Sequence, residues 1–262
     1  MMLFGKTIVV TGVASGIGRR TAELAGQLGA EVIGIDRTRP DRTFGQFLEG
    51  DIGTADGVAA IVDALPDRLD ALCNVAGVSG NTGAANTLAI NFFGLRALST
   101  GLAPKLRDGG SIVNVASIAG YGWRDNTARA AAIARTDGFP DAARIVTDHA
   151  IPDAAGYPVS KEILLVWTMR AAHQDLFKSR GIRVNAVSPG PVDTPILTQF
   201  RAVLGDARVN SDVDRVGRAG TAADIAPAIL FLCSDAARWI NGTNLATDGG
   251  LEAAITADAH SF

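Results

Sequence analysis

The sequence predicts an α/β fold, a single domain built on a doubly wound parallel sheet. Three observations carry that expectation. Short apolar runs rich in β-branched residues recur along the first 120 positions, and longer amphipathic stretches alternate with them. The strand-like runs are continuous rather than alternating, the pattern of strands buried on both faces. Finally, with 47% hydrophobic residues in 262, the chain can cover both faces of such a sheet with helices.

Taken in chain order, 6–10 (KTIVV) reads as the first strand, 19–28 as a helix closed by Gly29, and 31–35 (EVIGI) as the next strand. The rhythm continues with a helix over 55–65, a strand over 69–75, a helix over 87–106 and a strand over 111–116. A long helix over 158–178 follows, then a strand over 182–187, a helix over 222–234 and a short last strand over 244–247. Only 121–153 fits poorly, because a strand there should lead straight into a helix. Its Ala-rich middle, 128–135, reads as a short helix inside an insertion, and connections this long are often lids or binding loops. No Pro/Ser-rich linker, composition break or internal repeat interrupts the series, so residues 1–262 are expected to form one domain with an insertion over 121–153.

Composition excludes several function classes. The 24 basic and 27 acidic side chains leave a formal charge of −3, and no basic cluster offers attraction to nucleic acid or an anionic membrane. No window reaches the ~18 uninterrupted apolar residues of a membrane span. The N-terminal MMLFGKTIVVTG lacks a charged region ahead of an apolar one and runs straight into a strand. Cys73 and Cys233 both lie in apolar stretches and read as buried reduced thiols of a cytoplasmic protein, with no metal site expected.

The 30 glycines against 10 prolines ask for a cause. One is the turn Thr11-Gly12-Val13-Ala14-Ser15-Gly16-Ile17-Gly18, which ends the first strand and opens a helix. A helix N-terminus presents unpaired amides and the positive end of its dipole, and glycines let a pyrophosphate approach them. The spacing is G-x-x-x-G-x-G rather than G-x-G-x-x-G, so the dinucleotide pattern is met in placement but not in letter, and a plain turn is the bland alternative. At the end of the second strand stands Asp36, whose carboxylate suits adenosine ribose hydroxyls and repels a 2′-phosphate, favouring NAD over NADP. Arg37 beside it can meet a phosphate, and either residue can simply finish a strand.

At Tyr157-Pro158-Val159-Ser160-Lys161 a phenol and an ammonium stand four apart at a helix start, with proline at the first helical position. At ~4 Å and an effective dielectric of ~20, the attraction is roughly 4 kcal/mol, enough to draw the phenol from ~10 toward ~7. That is the range of a general base. By itself Y-x-x-x-K is common in helices.

The series as a whole is more specific. The glycine turn, Asp36, Asn74-Val75-Ala76-Gly77, Asn91, Ser117, Tyr157 and Lys161 stand in the order of the short-chain dehydrogenase/reductase family, which the chain resembles. The resemblance continues through Ser188-Pro189-Gly190, Thr194, Thr221 to Ile225 and Asp248-Gly249-Gly250, covering nearly the whole chain. It implies a Rossmann-like sheet and hydride transfer between a nicotinamide and a substrate carbon. Tyr157 resembles the family's acid/base, Ser117 its partner at the substrate oxygen, and Lys161 the residue that lowers the tyrosine pKa and holds the nicotinamide ribose. Asn91 resembles the asparagine that positions a water linking lysine to solvent. Gly12, Ser15, Gly16, Ile17 and Gly18 would cradle the pyrophosphate; Asp51 and Ile52 would lie near the adenine. Asn74, Ala76 and Gly77 would line the cleft. Pro189, Gly190, Val192 and Thr194 would face the carboxamide, Thr194 being readable also as an ordinary cap for the following segment.

Three departures narrow the branch: NVAG in place of NNAG, a trimmed loop between Asn74 and Asn91, and a long gap between Ser117 and Tyr157. The combination resembles the branch of 3α-hydroxysteroid dehydrogenase/carbonyl reductases and coniferyl-alcohol dehydrogenases. It implies an NAD-linked enzyme acting on a hydrophobic cyclic or aromatic alcohol or its ketone. The insertion is expected at the substrate mouth, where Trp123, Phe139 and Ile151 either wall the substrate or pack the insertion onto the body; His149 reads as a solvated loop residue. It is also placed to block the family's helix-to-helix tetramer contact, leaving a homodimer on the C-terminal helix and strand in place of a homotetramer. The alternatives are an NADP-linked β-ketoacyl-type reductase, for which Arg124, Arg129, Arg135 and Arg144 would supply basic residues, and a non-catalytic dinucleotide-binding protein.

Overall fold

The computed structural model describes residues 3–261, the side chains at 203 and 204 excepted. Strands β1 (Thr7–Thr11), β2 (Glu31–Asp36) and β3 (Gln46–Glu49) alternate with helices α1 (Gly16–Gln27) and α2 (Ala55–Ala64). Next come β4 (Leu69–Asn74), α3 (Ala84–Leu88), a π-helical turn over Ala89–Gly94, α4 (Leu95–Leu102) and β5 (Leu106–Val115). The insertion holds α5 (Thr127–Ala134) and α6 (Ala142–Asp148), flanked by 3₁₀ turns at Ile118–Arg124 and Asp153–Ala155. Then follow α7 (Gly156–Ala171), α8 (Asp175–Lys178), β6 (Arg183–Pro189), β7 (Val192–Asp193), α9 (Pro195–Leu204) and α10 (Asp206–Val216). The chain finishes with β8 (Gly220–Thr221), α11 (Ala222–Cys233), β9 (Asn244–Thr247) and α12 (Leu251–His260).

Seven strands form one sheet in the order β3-β2-β1-β4-β5-β6-β9, all parallel. β7 and β8 pair separately. The side-chain period of two sends successive strand residues to opposite faces. Val9, Leu72 and Ile112 pack with Ile61 of α2, Leu98 of α4 and Ile163 of α7. Ile8, Val10, Cys73 and Val113 pack with Ala22 and Ala25 of α1 and with Ile225 and Ile229 of α11. Helices thus cover both faces, and the expected doubly wound α/β fold is present. The two cysteines, distant in sequence, meet in the second of these layers with their Sγ atoms 3.4 Å apart.

The structure departs from the expected elements at definite places. β3 was not anticipated, because QFLE is short, half-exposed and lies at the sheet edge. The expected continuous helix over 87–106 is interrupted by the π turn, which ends at Gly94. A Cβ there would lie 1.8 Å from the Ile52 carbonyl oxygen, so the helix passes the loop after β3 with no room for a side chain. π turns of this kind recur at functional sites, and this one carries Asn91. β5 starts earlier than expected, at Leu106, with an irregularity against β4 between Leu69 and Ala71. The helix expected over 158–178 begins at Gly156 and stops at Ala171, so Pro158 falls within its first turn rather than at the first position. Helices α9, α10 and α12 were unanticipated.

Candidate active site

At the C-terminal ends of the central strands lies one cleft of about 470 Å³, the position where open α/β sheets bind ligands. At its floor, the Thr11 hydroxyl accepts from the amides of Val75 and Ala76 at 2.9 and 3.0 Å, stitching the end of β1 to the loop after β4. Gly12 has φ +78, and a Cβ there would lie 2.9 Å from Ala76. A Cβ on Gly18 would lie 2.1 Å from the Gly12 carbonyl oxygen. Ser15 precedes α1 but makes no side-chain capping bond, so the first amides of the helix are left for a ligand. Ser15, Gly16, Ile17 and Gly18 all border the cleft, as do Ala76, Gly77, Asp51 and Ile52.

Asp36 and Arg37 are there too. One Asp36 carboxylate oxygen accepts from Ala14 N at 2.9 Å, the other from Thr38 N at 3.1 Å, which fixes the carboxylate at the cleft's edge. A glycine cradle without space for Cβ atoms, unspent helix amides and a carboxylate one strand away together fit a nicotinamide dinucleotide, with the pyrophosphate at α1 and the adenosine ribose at Asp36.

The other end of the cleft holds Ser117, Tyr157 and Lys161. Ser117 follows β5 directly, and its hydroxyl accepts from Ala119 N at 3.1 Å. Tyr157 and Lys161 rise from the first two turns of α7, with the Lys161 Nζ 5.6 Å from the centre of the Tyr157 ring. Burial dominates both: it pushes the Tyr157 phenol up to about 12, with Ser117 hydrogen bonding pulling the other way, and lowers Lys161 to about 8. The phenol near 7 expected from charge attraction is therefore not what this pocket produces. Desolvation disfavours both charged forms, a cost that i, i+4 spacing alone does not reveal.

Asn91 does not touch the cleft. Buried on the π turn, it accepts from Val78 N at 2.8 Å and donates to Val78 O at 3.0 Å and to the Ser160 hydroxyl at 3.2 Å. It clamps the rim of the site; Gly77 lies beside it, where a Cβ would be 3.1 Å from Asn91 Oδ1 and 3.9 Å from Lys161 Nζ. Asn74 is the one expected cofactor contact that faces away. Its amide donates to Ser99 and to Asn114, both at 2.9 Å, inside the core, because the last residue of β4 points below the sheet end rather than into the cleft.

Pro189, Gly190, Val192 and Thr194 border the cleft. Thr194 precedes α9 yet forms no side-chain cap, its hydroxyl donating instead to Val192 O at 3.2 Å.

The insertion is not at the mouth, since no residue between Ser117 and Tyr157 lines the cleft. Ile151 is buried in the core, Phe139 packs on Phe93 and Trp123 sits against the same layer, so these three fasten the insertion to the body. His149 is half-buried at the end of α6. Of the four insertion arginines, Arg129 pairs with Glu162, Arg144 with Asp148, and Arg124 stacks on Trp123.

The wall that sequence reading missed comes from α9. Ile196, Leu197 and Phe200 face the cleft, and the Phe200 ring lies edge-on to Tyr157 with centroids 4.6 Å apart. The signal was available: Thr194-Pro195 opens a helix, and 196, 197 and 200 form an i, i+1, i+4 apolar face.

A family model described as short chain dehydrogenase matches residues 6–145, and one described as Enoyl-(Acyl carrier protein) reductase matches 142–252. The chain is 38% identical to a coniferyl-alcohol dehydrogenase of Pseudomonas sp., over 96% of this chain and 98% of that one. It is 28% identical to a 3-alpha-hydroxysteroid dehydrogenase/carbonyl reductase of Comamonas testosteroni, over 95% and 97%. The crystal structure of the 3-alpha-hydroxysteroid dehydrogenase from Pseudomonas sp. B-0831 complexed with NADH superposes with TM-score 0.80 at 32% identity, covering 96% of this chain and 99% of that one.

Proposed function

The chain belongs to the short-chain dehydrogenase family, and on that premise we propose that this oxidoreductase interconverts a hydrophobic cyclic or aromatic alcohol and its carbonyl, with NAD rather than NADP. The observation that carries the reading is that Tyr157, Ser117 and Lys161 converge at one end of a cleft whose other end is the glycine cradle and Asp36. The names of the relatives support an alcohol as substrate, and the Phe200, Leu197 and Ile196 wall supports a hydrophobic one.

When bound, the nicotinamide supplies or takes up the hydride. Tyr157 exchanges the proton with the substrate oxygen, and Ser117 donates a hydrogen bond to that oxygen. Lys161, once protonated, favours the phenolate by charge attraction, its Nζ lying 5.6 Å from the centre of the Tyr157 ring. Asn91 holds the Val78 backbone, next to Gly77, which lies beside Lys161 Nζ. Thr194 and the Pro189 to Val192 segment would meet the carboxamide. The preference for NAD rests on Asp36, held by two amides where a 2′-phosphate would face its charge. Arg37 at the same edge is the nearest group able to soften that preference.

The protein works on a small molecule, in the cytoplasm, as a homodimer or homotetramer. α5 packs along α7 and shields it, while β9 is a sheet edge with Leu245 and, nearby, Trp239 exposed. That leaves the C-terminal face for self-association. The test of the central assignment is Tyr157→Phe, which should abolish turnover while NADH still binds; retained turnover overturns it.

A further inference from the structure

We infer that Phe200, seated by a hydrogen bond between Gln199 and Ser79, makes this site select planar aryl-conjugated alcohols over alcohols on fused saturated rings. The inference rests on the cleft being a dehydrogenase site, and deepens that reading.

Ser79 is only 1% exposed, and its hydroxyl donates to Gln199 Oε1 at 2.8 Å. The Ser79 side of this bond is rigid. Asn91 holds both backbone groups of Val78 just before it. Gly80 just after it presses on Tyr157, where a Cβ would lie 3.1 Å from the Tyr157 Cβ. Residues 78–80 therefore form a fixed rim across the base of Tyr157, and α9 is hooked to that rim from the opposite side of the cleft.

The residue next to the hook is Phe200. Its ring meets the Tyr157 ring at 65° with centroids 4.6 Å apart, within the range of favourable edge-to-face pairs. A substrate oxygen that reaches the hydroxyls of Tyr157 and Ser117 must then bring its carbon skeleton alongside Phe200. A flat conjugated ring fits against that face with the hook closed and gains aromatic contact. A fused saturated skeleton is thicker and would need Gln199 to release Ser79 before it reached the same hydroxyls. Ring contact and tether therefore act in the same direction.

The experiment compares cinnamyl alcohol with a 3α-hydroxysteroid in wild type, Phe200→Leu and Gln199→Ala. Dissociation constants come from calorimetry with NAD⁺ present, kcat/KM from NADH absorbance, and unfolding midpoints verify that each variant is folded. Wild type should bind cinnamyl alcohol more tightly. Phe200→Leu should weaken that binding about tenfold, the scale of an aromatic contact, with little effect on the steroid. Gln199→Ala should raise kcat/KM for the steroid. The inference fails if wild type binds neither alcohol, prefers the steroid, or if the variants change both alcohols by the same factor. A shift in binding preference without turnover of either alcohol would overturn the dehydrogenase reading and leave the selectivity intact; turnover of both with an unshifted ratio would do the reverse.

Discussion

Lys161 donates from Nζ to the carbonyl oxygen of Val115 at 2.8 Å, tying α7 to the last residue of β5. The bond places the cation in the buried end of the cleft, where desolvation lowers its pKa from 10.5 to about 8. Between those values the unfolded chain carries a proton that the folded protein has released, so stability rises as pH climbs from about 8 to 10.5. The full swing is about 3 kcal/mol. Lys161→Met removes the buried charge, so it should stabilise the protein near neutral pH by up to that amount, flatten the rise, and lose activity. Urea unfolding at both ends of the window checks this, and an unchanged pH dependence in the variant would contradict it.

Tyr157 shapes the rate rather than the stability below pH 10. Burial holds its phenol up at about 12 and Ser117 favours the phenolate, so alcohol oxidation should accelerate as pH rises through the alkaline range. Ser117→Ala removes that support. Its profile should move to higher pH, and kcat/KM should fall about a hundredfold, as for the loss of one donor at a reacting oxygen. Profiles of kcat/KM against pH for the two proteins decide it; superimposable curves would show that Ser117 does not face the phenol during turnover.

Asp36 offers a separate handle on the cofactor. Asp36→Asn keeps one oxygen to accept from Ala14 or Thr38 but removes the charge facing a 2′-phosphate. The ratio of kcat/KM for NAD to that for NADP should drop at least about tenfold, because hydrogen bonds to charged groups are worth ~1.5–3 kcal/mol. An unaltered ratio would assign discrimination elsewhere, with Arg37 as the neighbour to substitute next.

The sheet and the two ends of the cleft were legible because local chemistry marks them. β-branched runs announce strands, Gly12 to Gly18 mark a close backbone approach, and the Ser117, Tyr157 and Lys161 series stands in family order. Asn74 was misplaced because spacing fixes where a residue lies along a strand and not whether the last side chain turns above or below the sheet. The phenol's pKa was misjudged because charge attraction follows from i, i+4 spacing, whereas desolvation needs the whole pocket. The Ser79 to Gln199 bond joins segments 120 positions apart, a separation that no local pattern encodes. The insertion's role was open for the same reason: Phe139 and Ile151 are apolar in either setting, and only their contacts with Phe93 and the core decide between wall and fastener.

The strongest fastener is Arg129, whose guanidinium reaches Glu162 at 3.1 Å while Asn126 donates to the other carboxylate oxygen at 2.9 Å. Glu162 keeps only 7% of its side chain exposed and follows Lys161 directly on α7. Removing one member of a buried pair strands the other and costs about 3–5 kcal/mol, whereas replacing both by apolar groups is often neutral. Arg129→Leu should therefore destabilise toward the low end of that range, because Arg129 itself is 31% exposed, and Arg129→Leu with Glu162→Leu should recover most of the loss. Denaturant unfolding of the two single variants and the double gives the coupling. NADH affinity should stay near wild type in all three, since the insertion contributes nothing to the cleft lining. A parallel fall in NADH affinity would mean instead that α5 transmits strain through Glu162 to Lys161, and that the insertion governs the site from behind the catalytic helix.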